Sequence, residues 1–71
     1  MEEFQDGLRF AKMATEYDSA NNVQRAIEYY NFAANLLENS ALNMPMERAL
    51  ACNTKADEYR RRAVQLAELG I

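Results

Sequence analysis

Three adjacent arginines, Arg60, Arg61 and Arg62, are the densest chemical feature in this chain of 71 residues. A guanidinium group pairs with a carboxylate or a phosphate, so a cluster of arginines would indicate an anion-binding site. Adjacent residues of a helix, however, point about 100° apart and cannot form one patch. Each arginine is therefore interpreted against the helix face on which it lies.

The other polar side chains give no sign of catalysis. The chain has no histidine, and its single cysteine, Cys52, lies on a predicted apolar helix face, whereas a nucleophilic cysteine needs a base and an open, electropositive setting. The neighbouring carboxylates Asp57 and Glu58 point apart, and neither a metal-ligand spacing nor a glycine-rich phosphate loop is visible. We expect a non-enzymatic domain that holds no metal and no cofactor.

Composition and charge favour a helical domain of a reducing compartment. Twelve alanines accompany two glycines and one proline, and 49% of the residues are hydrophobic, enough for a core without disulfides. No signal peptide or membrane-length apolar run is visible. Residues 1–44 hold seven acidic and three basic side chains, and residues 45–71 hold four acidic and five basic ones. Because acidic side chains outnumber basic ones overall, nucleic-acid binding is a poor hypothesis. We expect one soluble, cytoplasmic domain over residues 1–71.

Apolar periodicity predicts three helices, which span about residues 2–20, 23–42 and 45–69. Asn22 is placed to cap the second helix, and the residue before Pro45 resists helical geometry. Pro45 suits the first turn of the third helix, and Gly70 suits its C-terminal cap. Short connections make neighbouring helices antiparallel, so the fold class predicted is an all-α, up-down-up three-helix bundle with a longer third helix.

The third helix has a strict apolar seam, which keeps one narrow stripe facing its neighbours. Its members recur at alternating intervals of three and four residues: Ala49, Cys52, Ala56, Tyr59, Ala63 and Leu66. Seams rich in alanine let helices approach closely and leave shallow grooves between them. Such grooves suit another helix or an extended peptide.

The run ATEYDSANNVQRAIEYYNFAANLL, from Ala14 to Leu37, resembles the MIT (microtubule interacting and trafficking) family, and the resemblance covers about residues 4–69. That family has an alanine four residues before an aspartate at the end of its first helix, then a second helix of the form Ala-x-x-x-Tyr-x-x-Ala. Its third helix carries an aromatic residue, three variable residues, a small residue and then a leucine. The matching positions here are Ala14, Asp18, Ala26, Tyr30, Ala33, Tyr59, Ala63 and Leu66.

The resemblance, strongest to the MIT domains of Vps4-like AAA ATPases, implies a docking module. Such domains bind short tail motifs of ESCRT-III subunits and so recruit a parent enzyme to membrane-remodelling filaments. One type of motif is helical and lies between the second and third helices. The other is extended, often contains prolines, and lies between the first and third. The resemblance therefore implies a protein recruited to endosomal or other remodelled membranes indirectly, through its partners.

Most of the matched residues are expected to be structural. They are Ala14, Asp18, Ala26, Tyr30, Ala33, Ala63 and Leu66. The alanines would allow close packing, and the tyrosine would be a core aromatic whose hydroxyl finds a partner at the edge. Asp18 is expected to accept hydrogen bonds, either from amides at the start of the second helix or from a tyrosine hydroxyl.

Helix geometry places Arg60 and Arg62 on opposite flanks of the seam and points Arg61 into solvent. Arg48, Lys55 and Arg62 are seven residues apart and form one line, which the family alignment puts along the groove between the first and third helices. The hypothesis is an electropositive rim for an extended, acidic tail, with a solvated stripe of charge as its alternative. Candidate contacts are Leu8, Ala11, Arg48, Lys55, Tyr59 and Arg62, with Cys52 and Ala56 also on the groove floor.

The groove between the second and third helices is the less favoured site. Its candidate residues are Ala34, Asn53, Asp57, Arg60 and Val64. The Vps4 relatives that bind helical motifs have a leucine and an aspartate after the seam tyrosine, where this chain has Arg60 and Arg61. The charge that would attract a basic helical tail is thus reversed.

Three other hypotheses stay open. A fragment of a tetratricopeptide array would share the first two helices and would need further repeats beyond these ends. A bundle would self-associate through its exposed apolar residues; those outside the main stripes, Phe10, Met13, Phe32 and Leu69, either add exposed contact surface or complete the core. A stripe of three basic charges would bind acidic tubulin tails or anionic lipid weakly, at about 1 kcal/mol per charge.

Overall fold

A computed structural model of the chain describes residues 2–69, apart from the side chain of residue 2. Three helices follow one another: α1 (Glu2–Ser19), α2 (Val23–Ala41) and α3 (Met46–Leu69). The described residues form no strand, and the helices pack on one another, so the predicted all-α three-helix bundle is confirmed.

The helix ends lie within one residue of the predicted bounds. The third helix begins at Met46, directly after Pro45. The carbonyl of Pro45 accepts a hydrogen bond from the amide of Ala49 at 2.9 Å. Pro45 thus stands at the N-cap position rather than inside the first turn. The cap predicted at Gly70 lies outside the described residues.

Two asparagines build the turn between α1 and α2. Asn21 has a φ of 63°, a left-handed conformation that asparagine tolerates better than most residues. The amide of Asn22 donates to the carbonyl of Tyr17 at 2.9 Å, and its side-chain oxygen accepts the amide of Arg25 at 3.5 Å. The N-cap predicted at Asn22 is therefore confirmed.

Small side chains fill most of the core, which consists of two clusters. One holds Ala14, Ala26, Tyr30, Ala63 and Leu66, and the other holds Ala34, Leu37, Ala41, Cys52 and Ala56. The ring of Tyr59 packs against both clusters and stacks on Tyr30, with 5.7 Å between ring centroids. Because so many members are alanine, the helices approach closely and bury little apolar area per residue.

Helix α2 is the centre of the bundle. Helices α1 and α3 both pack along it, and they make almost no direct backbone approach to each other. Gly7 is buried where α1 meets α2, and a Cβ atom there would stand 3.0 Å from Cδ2 of Leu37. The absence of a side chain at Gly7 therefore permits the close approach of α1. Because α1 and α3 both pack on α2 and hardly approach each other, a cleft lies between them.

A cluster of four aromatic rings covers the opposite side, where α1 and α2 meet. The ring of Tyr29 stacks on those of Tyr17 and Phe10, with centroid distances of 5.4 Å and 5.6 Å. The ring centroid of Phe32 lies 6.0 Å from that of Phe10. Phe10 is half-buried, whereas Phe32 is 54% exposed. Ring stacking of this kind adds about 0.5–1.5 kcal/mol per pair to the burial of the rings. The cluster joins the second half of α1 to the middle of α2.

No helix within residues 2–69 is both long enough and apolar enough to span a bilayer.

Candidate functional site

The cleft between α1 and α3 contains an apolar pocket of about 180 Å³. All three helices contribute to its walls, which are formed by Phe4, Leu8, Leu37, Ala51, Cys52 and Lys55. Lys55 is the one polar side chain among them, and it is exposed. Leu8 is 46% exposed, so a ligand can reach the pocket from solvent.

A second, more polar pocket of about 390 Å³ adjoins the first at Phe4. It lies between the start of α1 and the turn that joins α2 to α3, and its lining includes Ser40, Met44 and Arg48. Arg48 is exposed and makes no ion pair with any side chain that the structure describes. The two pockets together form one groove, here called the α1/α3 groove, with Arg48 and Lys55 on its α3 side.

The other end of the cleft is closed by a polar network. Arg62 of α3 donates from Nε to Oδ2 of Asp18 at 2.8 Å and from Nη2 to Oδ1 at 2.9 Å. The Tyr30 hydroxyl of α2 donates to the same carboxylate at 2.9 Å. These contacts join the end of α1 to both other helices.

The network shifts the acidity of its members. The hydrogen bond from Arg62 lowers the pKa of Asp18, with a smaller contribution from Tyr30, although partial burial opposes the shift. Burial, together with the nearby carboxylate, raises the pKa of Tyr30 to about 12. At neutral pH the network therefore contains a carboxylate, a guanidinium and a protonated phenol.

Arg60 crosses the groove between α2 and α3. Its Nη2 donates to Glu38 at 2.6 Å and to Asn35 at 2.7 Å, and its Nε reaches Glu38 at 3.4 Å. Beyond it, Val64 is 58% exposed. Arg61 is exposed on the outer face and pairs with Asp57 at 2.9 Å. The three adjacent arginines thus have three different partners on three different faces.

Comparison with known proteins gives one match. The family model of the MIT (microtubule interacting and transport) domain matches residues 4–68. The chain belongs to the MIT family. No curated protein and no solved structure matches it. An MIT domain is a non-catalytic protein-interaction module that binds peptide motifs, so the grooves between helices are the surfaces to consider.

The structure places the predicted α1/α3 residues of this MIT domain at different depths. Leu8 and Lys55 line the apolar pocket, and Arg48 lines the adjoining one. Ala11 is buried in the core, and Tyr59 is half-buried between the two core clusters. Arg62 lies on the predicted line with Arg48 and Lys55, and its guanidinium is held by Asp18.

The α2/α3 candidates are also divided. Asn53, Asp57 and Val64 are exposed, and Arg60 is engaged with Glu38 as described. Ala34 is 0% exposed and packs in the core beneath the groove, where a ligand cannot contact it without rearrangement.

Sequence reasoning missed Phe4, Leu37 and Ala51 as walls of the MIT domain's apolar pocket. Phe4 precedes the candidate Leu8 by four residues and so shares its helix face, whereas Leu37 lies on α2, outside the two helices assigned to this groove. Ala51 precedes Lys55 by four residues and therefore lies on the same helix face, a signal that was available.

Cys52 forms the pocket wall as a buried thiol, and its Sγ lies 3.5 Å from the sulfur of Met44. Within the described part of the chain, no three potential metal ligands converge. The α1/α3 groove therefore has an apolar floor.

Proposed function

We propose that this MIT domain binds an extended, acidic peptide tail in the α1/α3 groove. The observation that carries the proposal is an open apolar pocket with two cations beside it, Lys55 at its rim and Arg48 in the adjoining pocket. An apolar side chain of the ligand enters the pocket, and acidic side chains beside it meet the two cations.

The volume of the pocket suits one aliphatic side chain. An engineered apolar cavity of about 150 Å³ holds a benzene molecule, so a pocket of about 180 Å³ accommodates a leucine or proline side chain. Burial of such a side chain contributes about 1.5–3 kcal/mol. That is too little for strong binding alone, so an extended ligand needs the adjoining pocket and the charges as well.

Both cations are available to a ligand. Lys55 pairs with Glu58 at 3.4 Å, but both side chains are more than half exposed, and exposed pairs of this kind contribute at most about 1 kcal/mol. Arg48 has no ionic partner among the described side chains. Rim charges of this type set the rate of encounter and the specificity of a complex, and they respond to salt.

The α2/α3 groove is less suited to a helical ligand. Arg60 lies across it and makes two short contacts to α2, through Glu38 and Asn35. A helix docking there must displace this side chain or pack over it.

The resemblance to the MIT domains of Vps4-type AAA ATPases supports a more specific assignment. Under this assignment, the ligands are the tails of ESCRT-III-like proteins, and the parent protein is an AAA ATPase of the vesicle-trafficking machinery. The domain would then recruit its parent to membranes under remodelling, with membrane association supplied by the partner.

An amide-shift NMR titration with two synthetic peptides tests the proposal. One is an extended, acidic, proline-containing tail and the other is a basic helical tail. We expect the extended peptide to shift resonances around Leu8 and Lys55. Shifts around Asp57 and Val64 with the helical peptide would instead identify the α2/α3 groove as the site.

Charge reversal provides a matched pair of variants. Lys55→Glu is expected to weaken the extended peptide by roughly tenfold at low salt and by less at high salt, because a rim charge near the ligand is reversed. Arg61→Glu makes the same change on the outward face, where Arg61 is 76% exposed, and is expected to leave the affinity unchanged. Equal losses from both variants would contradict a specific groove.

A second candidate function is self-association, and one corner of the bundle favours it. Leu42, Met46 and Leu50 are exposed by 82%, 79% and 60% around the turn between α2 and α3. A dimer detected by light scattering at micromolar concentration, and abolished by Met46→Glu, would support this function.

A further inference from the structure

We propose that Arg62 acts as a positioning residue, which holds α3 against α1 through Asp18 and so sets the width of the α1/α3 groove. The inference rests on the proposed function, since it explains how that groove keeps its shape. It assigns Arg62 no direct contact with the ligand.

The connection between α1 and α3 is the first support. Both helices pack on α2 and barely approach each other, so little besides side chains fixes their separation. The pair of Arg62 with Asp18 is the one ion pair between α1 and α3 among the described side chains, those of residues 3–69. Its two parallel hydrogen bonds fix orientation as well as distance, because both the carboxylate and the guanidinium are planar.

The surroundings of the pair are the second support. The side chain of Asp18 is only 17% exposed, and a third donor, the hydroxyl of Tyr30, holds the same carboxylate. The Arg62 side chain is 41% exposed, but its carboxylate partner is largely shielded, so this pair is less screened by salt than the pairs of α3 in which both side chains are exposed. It therefore suits a structural restraint better than a surface charge does.

The occupancy of the guanidinium is the third support. Nε and Nη2 of Arg62 both donate to Asp18, and Nη1 faces Gln65 at 3.4 Å. The carboxylate cancels most of the positive charge, so an acidic ligand gains little by approaching this end. Arg48 and Lys55 remain as the cations of the groove.

The position of the Arg62–Asp18 pair allows it to affect the width of the apolar pocket. Arg62 is seven residues beyond Lys55, which on a helix is about 10 Å. The pocket walls come from Phe4 and Leu8 of α1 and from Ala51 and Cys52 of α3. A change in the separation of the two helices at the Asp18 end therefore changes the width of the pocket without any contact between Arg62 and the ligand.

The thiol of Cys52 is a built-in reporter of that width. It is the only cysteine of the chain, it lines the pocket, and it is 5% exposed. The rate of alkylation by iodoacetamide, followed by mass spectrometry without any ligand, measures how often the wall of the pocket moves enough to expose the thiol. Urea denaturation gives the free energy of unfolding, and hence the part of the rate that arises from global unfolding.

Arg62→Lys and Asp18→Asn are the test variants, and Arg61→Lys, in the exposed pair with Asp57, is the control. Arg62→Lys retains the charge but loses the two-pronged contact, which makes it the milder change. We expect both test variants to label about fivefold faster than global unfolding accounts for, and to bind the extended acidic peptide about fivefold more weakly. The control is expected to match the wild type in both measurements.

The Asp18→Asn variant separates this inference from a direct contact. If Arg62 bound the ligand, removal of the competing carboxylate would free its charge and tighten the acidic peptide. Tighter binding, or a labelling rate explained by global unfolding alone, would overturn the inference. A wild-type domain that binds neither peptide would overturn the proposed function instead, while the labelling rates would still decide the role of Arg62.

Discussion

The hydroxyl of Tyr30 offers a prediction about stability in alkaline solution. Tyr30 is 5% exposed and donates its hydroxyl proton to Asp18 at 2.9 Å. Burial, and then the neighbouring carboxylate, raise its pKa to about 12, against 10.0 for an ordinary tyrosine. The perturbations are a rise in pH and the substitution Tyr30→Phe, which removes the titrating group.

The sign and size of the effect follow from linkage between protonation and folding. A pKa that is higher in the folded chain means that folding favours the protonated phenol. The stabilisation is therefore complete below pH 10 and is lost as the pH rises from 10 to about 12. Two pKa units, at about 1.36 kcal/mol each, correspond to roughly 3 kcal/mol. A chain of this length is expected to have a free energy of unfolding of roughly 4–10 kcal/mol, so the loss is large.

At neutral pH the substitution itself has a smaller cost. Tyr30→Phe removes a hydrogen bond to a charged acceptor, which contributes about 1.5–3 kcal/mol, but Asp18 keeps both bonds from Arg62. We expect a loss of about 1.5–2 kcal/mol at pH 7, at the lower end of that range.

Urea denaturation followed by circular dichroism, repeated from pH 7 to pH 11.5, measures both effects. The wild type should lose stability above pH 10, whereas Tyr30→Phe should lose less, so that the two curves converge. Tyr29→Phe is the control, because that hydroxyl makes no hydrogen bond within the described part of the chain. Parallel curves for wild type and Tyr30→Phe would refute the reasoning.

Three further predictions concern packing and capping. Gly7→Ala adds up to about 1 kcal/mol of helix propensity, but its Cβ meets Leu37 at 3.0 Å and pushes that side chain toward the apolar pocket. We expect a free energy of unfolding within about 1 kcal/mol of wild type and a clear loss of affinity for the extended peptide, measured by urea denaturation and fluorescence anisotropy; unchanged affinity would contradict this. Leu66→Ala should lower the free energy of unfolding by about 2–5 kcal/mol, because Leu66 is only 4% exposed. Leu69→Ala should lower it by under about 0.5 kcal/mol, because Leu69 is 75% exposed. Similar urea denaturation midpoints for the two variants would contradict the assigned core. Asn22→Ala should cost about 0.5–1 kcal/mol, at the low end for a cap because its hydrogen bond is 3.5 Å long, while Asn22→Asp should retain most of the stability.

Local rules explain why the helices could be predicted. Apolar spacing, the cap at Asn22 and the break before Pro45 each depend on residues within a few positions of one another. The start of α3 is shifted by one residue, from Pro45 to Met46, which lies within the uncertainty of a helix end. Periodicity therefore recovered the bundle.

The contacts of the candidate site could not be predicted in the same way, because the side chains that pair there are far apart in the sequence. A helical wheel places Arg62 on a line with Arg48 and Lys55, but it contains no information about Asp18, 44 residues away. The same is true of Arg60 and Glu38, which are separated by 22 residues. Charge on a helix face predicts an available cation only where no neighbouring helix supplies the anion.

The aromatic cluster was missed for a related reason. Phe10 and Phe32 lie outside the main apolar stripe of each helix, so the sequence left open whether they add exposed contact surface or complete the core. In the structure they meet across α1 and α2, where Tyr29 joins them. Two off-stripe residues form a cluster only when the rotation of both helices is known.

The sparse contact between α1 and α3 has a consequence for folding kinetics. Nearly all packing joins helices that follow each other along the chain, a low contact order that favours rapid folding. The bond between Asp18 and Arg62 spans 44 residues and joins the end of α1 to α3, so we expect it to form after the rate-limiting transition state. Loss of that bond should therefore accelerate unfolding and leave the folding rate nearly unchanged. The network that closes the cleft thus determines mainly how long the folded bundle lasts, and hardly how fast it forms.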